Sequence, residues 1–198
     1  RVIRTIEPHD SPERYAGLGV ECLQGEAKIV SPWEVDIRSG TGETRRLSTR
    51  SIVIAAGARP FVPPIPGIEN MDCLTSDTVW NLRQLPARLL VLGGGPIGSE
   101  LAQAFARLGS KVTQVEMLPR ILPREDPEGS EMLRAKFAAE GIAVLTGHKA
   151  KAFLLEGGRK TLLSEHDGKE VRVEFDVLLC AVGRVARLKG YGLEELGI

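Results

Sequence analysis

The sequence LLVLGGGPIGSELAQAFARLGSKVTQVE, residues 89–116, runs from an apolar segment through a glycine cluster into an amphipathic segment and ends on an acid. The apolar residues at 88–92 predict a strand that is buried on both faces of a parallel sheet. Apolar residues then recur at helical spacing over 97–108, and residues 111–115 predict a second strand that ends at Glu116. The segment is therefore predicted to form a β-α-β unit.

The glycines of this unit have the spacing of a dinucleotide-binding turn. Gly93 permits the tight turn, Gly95 lets a pyrophosphate approach the backbone, and Gly98 lets the helix pack on the strand. The helix N-terminus stabilises the phosphate charge through its N–H groups and its dipole. Glu116 is placed to accept hydrogen bonds from the adenosine ribose hydroxyls. A merely structural turn is the alternative, but strand, helix, second strand and terminal acid in this order favour dinucleotide binding.

The residues that follow continue an α/β domain. A helix is predicted at 126–140, and strands are predicted at 142–146, 150–156, 161–165, 170–174 and 176–182. The middle three strands predict a small antiparallel meander with Asp167 and Gly168 in a hairpin turn. The fold class is therefore a Rossmann-like domain, in which a parallel sheet with helices carries an antiparallel meander.

The N-terminal part of the chain has a different pattern. A short helix is predicted from Pro12, strands are predicted at 20–24, 27–30, 33–37 and 51–56, and a hairpin turn is predicted at 38–43. Four prolines at 60–66 predict a stiff extended connector, and a short helix at 78–84 follows it. We therefore place a domain boundary near residue 75 and expect a β-rich segment before it.

The composition restricts the expected partners to small molecules. Lys plus Arg and Asp plus Glu each number 26, so we expect neither a nucleic-acid groove nor a membrane surface. No segment predicts a membrane span or a leader, and we expect a cytoplasmic protein.

Cys22, Cys73 and Cys180 predict neither a disulfide framework nor a metal site and are interpreted as small buried residues. The three histidines are interpreted as surface or loop residues.

Several motifs together carry a family resemblance. The segments VIAAGARP, PPIPG, LPREDPE, EGIAVLTG and DVLLCAVGR, in order around the glycine turn, resemble the flavin-dependent pyridine nucleotide-disulfide oxidoreductases. Within this family the motifs resemble those of mercuric reductase and dihydrolipoamide dehydrogenase. The resemblance implies that a nicotinamide domain at 76–182 is inserted into a split FAD domain at 1–75 and 183–198. It also implies a central piece of a longer homodimeric chain, with a redox cysteine pair upstream and a dimer domain downstream.

The resemblance also assigns site residues. Pro96 and Ile97 would approach the nicotinamide, and Glu100 would be the catalytic candidate near nicotinamide and flavin; an acid that merely favours a helix N-terminus is the alternative. The positions implied to lie beside FAD are Ala55, Ala56, Gly57, Gly183 and Arg184. Alanine replaces the threonine that is usual in the first of these turns.

The implied chemistry is hydride transfer from a nicotinamide to FAD and then to a disulfide or dithiol-bound substrate. A flavoprotein with a non-disulfide acceptor such as a quinone, or a nucleotide-binding module without turnover, are the alternatives. We expect this chain alone to be inactive. NAD(H) is expected over NADP(H), because Glu116 would repel a ribose phosphate; Arg120 is the residue that could offset this repulsion.

Overall fold

The structure, a computed structural model, describes the backbone of residues 2–198 and side chains from Arg4 onward. It contains two compact units. Unit 1 is the chain up to Gly57 together with Arg187–Ile198, and unit 2 is Ala58–Ala186. The assignment of 1–75, 76–182 and 183–198 to cofactor domains stays a prediction.

Unit 1 contains two short helices and one antiparallel sheet. Helices α1 (Val2–Ile6) and α2 (Pro12–Gly17) precede strands β1 (Glu26–Ser31), β2 (Glu34–Arg38) and β3 (Thr44–Ser48). The predicted start of α2 is confirmed, since the Ser11 hydroxyl accepts a hydrogen bond from the Arg14 N–H. The predicted hairpin between β2 and β3 is also confirmed, and the Ser39 N–H donates to the Glu43 carbonyl at 2.8 Å.

Two strand predictions in unit 1 are wrong. Residues 20–24 and 51–56 form no strand, and Val53 is 88% exposed. Their composition suits a strand, but within the described residues no neighbouring segment pairs with their backbone groups. Strand propensity reflects packing on a sheet more than an intrinsic backbone preference, so an unpaired segment stays irregular.

Unit 2 holds the remaining strands and the two long helices. The strands are β4 (Ala58–Pro60), β5 (Arg88–Leu92), β6 (Lys111–Val115), β7 (Ala143–Leu145), β8 (Lys149–Glu156), β9 (Arg159–His166), β10 (Lys169–Phe175), β11 (Val177–Cys180) and β12 (Arg184–Ala186); the helices are α3 (Pro96–Leu108) and α4 (Pro127–Ala139). A parallel sheet has the order β11-β5-β6-β7. The meander has the order β10-β9-β8, and β4 pairs with β12. The predicted Rossmann-like class with an antiparallel meander is confirmed.

The parallel sheet is buried on both faces, as its continuous apolar strands predict. Leu90 and Leu92 pack with Phe153 and Phe175 of the meander. Leu89 and Val91, which point to the other face, pack in a second cluster with residues of α3 and α4. The sheet therefore lies between the meander on one face and the two helices on the other.

Both long helices begin and end where their capping signals predict. Gly109, with φ of 110°, forms the left-handed C-terminal cap of α3. The Asp126 carboxylate accepts from the Glu128 N–H at 2.8 Å at the start of α4. Asp167 and Gly168 both have positive φ, as the predicted β9–β10 hairpin turn requires.

The segment between the prolines and β5 differs from its prediction. Instead of a helix at 78–84 there is one 3-10 turn, Val79–Asn81, and Leu82 has extended backbone. Ser76 and Asp77, which precede the expected helix and could have capped it, instead accept hydrogen bonds from Arg184, 107 or more positions away. Part of the expected proline connector is strand β4, whose partner β12 follows the last strand of the parallel sheet. Nothing local in the sequence marks this pairing.

An ion-pair cluster joins the C-terminal halves of α3 and α4. The Glu140 carboxylate accepts from Gln103 at 3.0 Å and from Arg107 at 2.8 Å, and Lys136 lies 3.3 Å away. The hydrogen bond from Arg107, with smaller contributions from Gln103 and Lys136, lowers the pKa of Glu140 from its ordinary 4.5 to about 2.

We predict that Glu140→Gln destabilises the chain in a pH-dependent way. Because the folded-state pKa is lowered, the carboxylate stabilises the fold above pH 4.5, and this contribution is lost as the pH falls toward 2. Thermal unfolding of the variant should therefore lie below wild type at neutral pH and converge with it in acid. Glu156→Gln, an exposed acid in the same unit, is the control. A constant gap from pH 7 to pH 2 would contradict the prediction.

A second prediction concerns local stability. Of the buried apolar side chains that the structure describes, only Ile29 and Leu193 belong to unit 1. Few buried contacts permit opening at low free energy, so amides of β1–β3 should exchange faster than those of β5 and β6. Hydrogen exchange read by mass spectrometry measures this difference. Equal, strong protection of both units would contradict it.

Candidate functional site

The glycine turn follows β5 and leads directly into α3. A Cβ at Gly93 would lie 2.5 Å from the Ala181 carbonyl oxygen, and a Cβ at Gly98 would lie 2.4 Å from the Gly93 carbonyl oxygen. A Cβ at Gly95 would have no atom within 4 Å. The first and third glycines are therefore required by close backbone packing, whereas the second faces open space.

Open space at Gly95 coincides with the start of α3. Gly95 is the N-cap residue, Pro96 opens the helix, and no side chain caps it. The first N–H groups of a helix have no partner within the helix, and they carry the positive end of its dipole. This end of α3 is therefore suited to an anion such as a phosphate.

Three consecutive residues, the last two of β6 and Glu116 directly after it, hold the backbone groups of Gly93 and Gly94. The Gly93 N–H donates to the Val115 carbonyl at 2.8 Å, and the Gly93 carbonyl accepts from the Gln114 side-chain amide at 3.0 Å. The Gly94 N–H donates to the Glu116 carboxylate at 2.6 Å. Sequence reasoning missed Gln114, although a fully buried amide in an apolar strand is a signal that could have found it.

Glu116 lies at the end of β6, as predicted, but its carboxylate already has two protein partners. One oxygen accepts from the Gly94 N–H at 2.6 Å and the other from the Leu118 N–H at 2.7 Å. An ionised carboxylate has about four lone-pair positions. Glu116 can therefore hold the glycine turn and still accept hydrogen bonds from a ligand.

A cavity of about 840 Å³ lies at this edge of the parallel sheet. Its walls include Gly93, Gly95, Pro96, Ile97, Glu116, Gly183 and Arg184 from the sequence prediction. Residues 122–125, 148–150 and 180–182 complete much of the wall. Ligand pockets commonly measure about 300–1,000 Å³, so the cavity has room for a dinucleotide.

Two cationic side chains line the cavity at positions that the sequence analysis did not single out. Arg124 and Lys149 line it. Arg120 is not among the lining residues that the structure describes; instead its guanidinium donates to the Pro123 carbonyl at 2.9 Å. The loop after β6 therefore presents Arg124, not Arg120, to a bound ligand.

The remaining predicted residues have different surroundings. Glu100 is exposed at the fifth position of α3, just beyond its first turn, and is not one of the described residues that line the cavity. Both terminal nitrogens of Arg184 are engaged, with Ser76 and Asp77 and with the Ala58 carbonyl. In unit 1, Ala55, Ala56 and Gly57 are exposed, and Gly57 has φ of 74°.

The histidine interpretation needs a correction at His148. This residue is in a loop, as predicted, but it is 8% exposed and lines the cavity. Its ring stacks on that of His166 with centroids 4.1 Å apart. The hairpin turn of the meander brings His166 under His148, a contact that no local pattern marks.

Of the three cysteines interpreted as small buried residues, Cys180 is buried and Cys73 is partly buried, whereas the interpretation is wrong for Cys22. Cys73 and Cys180 are distant in sequence but contact each other in the apolar cluster beside the meander, while Cys22 is exposed. The Cys73 thiol donates to the Leu74 carbonyl, and the Cys180 thiol donates to the Phe61 carbonyl. Interaction with Cys73 lowers the pKa of Cys180, whereas interaction with Cys180 and burial raise the pKa of Cys73. Within residues 2–198, no group of three potential ligands could hold a metal ion.

None of the helices in the described part of the chain is long and apolar enough to cross a bilayer.

A sequence profile of the pyridine nucleotide-disulphide oxidoreductase family matches residues 10–198, so the chain belongs to this family. Similar curated proteins include a mercuric reductase of Streptomyces lividans, 37% identical over 94% of this chain and 40% of its own length. A dihydrolipoyl dehydrogenase of Thermus scotoductus is 37% identical over 92% of this chain and 39% of its own length. The chain thus spans about two fifths of these relatives.

A solved structure of a related protein is also similar to this chain. The HOCl-induced flavoprotein disulfide reductase RclA from Escherichia coli superposes with a TM-score of 0.73 at 28% identity, over 94% of this chain and 42% of its own. This neighbour is a flavoprotein disulfide reductase, and the similarity covers nearly the whole of the present chain.

We predict opposite effects for alanine at the third and second glycines. Gly98→Ala places a methyl group against the Gly93 carbonyl and should destabilise the chain by about 1–3 kcal/mol. Gly95→Ala meets no atom and should change stability by less than about 0.5 kcal/mol, while it fills the space that a pyrophosphate would need. Thermal unfolding and calorimetric titration with NADH separate the two effects. Unchanged NADH binding by Gly95→Ala would contradict the prediction.

Proposed function

We propose that unit 2 binds NAD(H) in the cavity at the start of α3. The observation that carries the proposal is the open space at Gly95, which lies between a helix N-terminus without a side-chain cap and the Glu116 carboxylate. A pyrophosphate in this space would meet backbone N–H groups, and the adenosine ribose would extend toward Glu116. The residues present therefore fit a dinucleotide.

Within this proposal, the nicotinamide end lies near Pro96 and Ile97. The cavity wall near Pro96 and Ile97 is mostly apolar, with Ala181 and Val182 beside the glycine turn. An apolar wall excludes water from a transferring hydride and orients the ring through contact. Glu100 is proposed to lie beside this end, on the exposed side of α3.

The whole protein is proposed to be a flavoprotein in which the nicotinamide supplies a hydride to FAD. The residues of this chain proposed to lie beside FAD are Ala55, Ala56 and Gly57 in unit 1 and Gly183 and Arg184 in unit 2. Arg184 would act by holding its segment in place, because its terminal nitrogens are engaged by Ser76, Asp77 and Ala58. A disulfide or dithiol-bound substrate is the proposed final acceptor, in keeping with the family.

The localisation and the oligomeric state proposed for the whole protein follow from the same family resemblance. We propose a cytoplasmic homodimer whose dimer domain lies outside this chain. A non-disulfide acceptor such as a quinone is the second candidate for the parent, and a binding module without turnover is the second candidate for this chain. By the same resemblance, the residues that select the acceptor are proposed to lie outside this chain.

NAD(H) is proposed to bind more tightly than NADP(H) because of charge. A 2′-phosphate about 4 Å from the Glu116 carboxylate would be repelled by about 4 kcal/mol at an effective dielectric constant of 20. Arg124 and Lys149 line the cavity and reduce this penalty. Glu116 cannot turn away readily, because the Gly94 and Leu118 N–H groups hold both of its oxygens.

We predict that the chain binds NADH at least about tenfold more tightly than NADPH, a difference of about 1.4 kcal/mol. Glu116→Gln should shrink the difference, because it removes the charge while one oxygen remains to accept from the turn. Glu116→Ala is less informative, since it also frees the Gly94 N–H. Calorimetric titration with both nucleotides measures the two affinities.

The matched control is Glu128→Gln, which removes an exposed acid at the start of α4, outside the described cavity wall. It should leave the NADH-to-NADPH ratio unchanged. Equal or tighter binding of NADPH by the wild-type chain would overturn the proposed preference, and the absence of binding to either nucleotide would overturn the proposed site.

A further inference from the structure

Gln114 is a buried polar residue that core packing does not explain. It lies on the central strand β6, its side chain is fully buried, and its Oε1 has no partner among the described residues. An apolar residue of similar size would fill the same space without burying an unpaired acceptor. The reason for an amide at this position must therefore lie in the hydrogen bonds that its nitrogen makes.

The orientation of this amide follows from its partners. The Gly93 carbonyl oxygen can only accept, so the Gln114 nitrogen, 3.0 Å away, must face it. The same nitrogen lies 3.2 Å from the hydroxyl of Ser99, which is 3% exposed in the first turn of α3. Gln114 thus connects the end of β5, the glycine turn and the start of α3.

The peptide that Gln114 holds lies between two glycines. It joins Gly93 and Gly94, and glycine on both sides allows a peptide plane to rotate at little steric cost. At present its carbonyl faces Gln114 and its N–H faces Glu116. Because these two groups point in opposite directions, rotation by half a turn would aim the carbonyl oxygen at the Glu116 carboxylate. The floor of the cavity would then lose the arrangement that accommodates a pyrophosphate.

We infer that Gln114 is a positioning residue for the dinucleotide: it acts through the Gly93 carbonyl to keep the glycine turn in its binding orientation. This inference rests on the proposed function of the cavity. Glu116 holds the other end of the same peptide, so the residue proposed to contact the ribose and the buried amide two positions earlier act on one turn. The Leu122 N–H, which donates to the Gly94 carbonyl at 2.7 Å, holds the following peptide from the loop side.

Gln114→Met tests the inference, since it keeps the length of the side chain and removes both donors. If the turn then spends only about a fifth of its time in the binding orientation, the apparent Kd for NADH rises about fivefold. Calorimetric titration is carried out well below the unfolding midpoint of every variant, so that lost stability alone does not change the Kd. Ser99→Ala retains the bond to Gly93 and should raise the Kd less than twofold by the same relation.

Thr113→Val is the matched control, because it changes a partly buried polar side chain on the same strand, outside the described cavity wall. It should bind NADH as wild type does. Wild-type affinity in Gln114→Met would overturn the inference while leaving the proposed function intact.

A second measurement does not depend on the ligand. Amide exchange followed by nuclear magnetic resonance should show the Gly94 N–H protected in wild type and exchanging faster in Gln114→Met, with the amides of β6 and β7 unchanged. If Gly94 exchanges equally in both proteins, Gln114 does not hold the turn and the inference fails. If wild type binds no NADH, the proposed function fails, and the exchange result still decides whether Gln114 holds the peptide.

Discussion

The backbone contact between the start of α3 and the ends of β5 and β11 is the constraint on which the site depends. Gly98 lies so close to the Gly93 carbonyl, and Gly93 so close to the Ala181 carbonyl, that a Cβ at either position would overlap a backbone atom. This approach sets the helix N-terminus directly at the edge of the sheet. The cavity, its helix dipole and the apolar wall on the β11 side all follow from that contact.

Glu116 combines two tasks that are usually discussed separately. Its position at the end of β6 suits the recognition of a ribose, and its carboxylate also accepts from the N–H groups of Gly94 and Leu118. The proposed cofactor preference and the shape of the glycine turn therefore depend on the same side chain. For the same reason, removing this acid alters the turn as well as the charge, and isosteric substitution separates the two effects better than truncation.

The two units differ in how completely their apolar side chains are covered by other segments. In unit 2 the apolar residues of β5 pack alternately against the meander and against the helices, so this strand is covered on both faces. In unit 1, Val53 and Ile54 are exposed although their sequence is that of a buried strand. The apolar residues of this segment are of the kind that a sheet would cover.

Local patterns were enough to predict the β-α-β unit, both long helices, the meander and the residues Gly93, Gly95, Gly98 and Glu116, because caps, glycine spacing and periodicity act over a few neighbouring residues. The pairing of β4 with β12, the hydrogen bond from Gln114 to Gly93 and the stacking of His148 on His166 join residues far apart in the chain. Arg124, and not Arg120, lines the cavity because of the way the loop after β6 folds beside the glycine turn. Such contacts form only when the tertiary structure assembles. A sequence pattern predicts that a segment can be buried, but it does not predict which other segment will cover it.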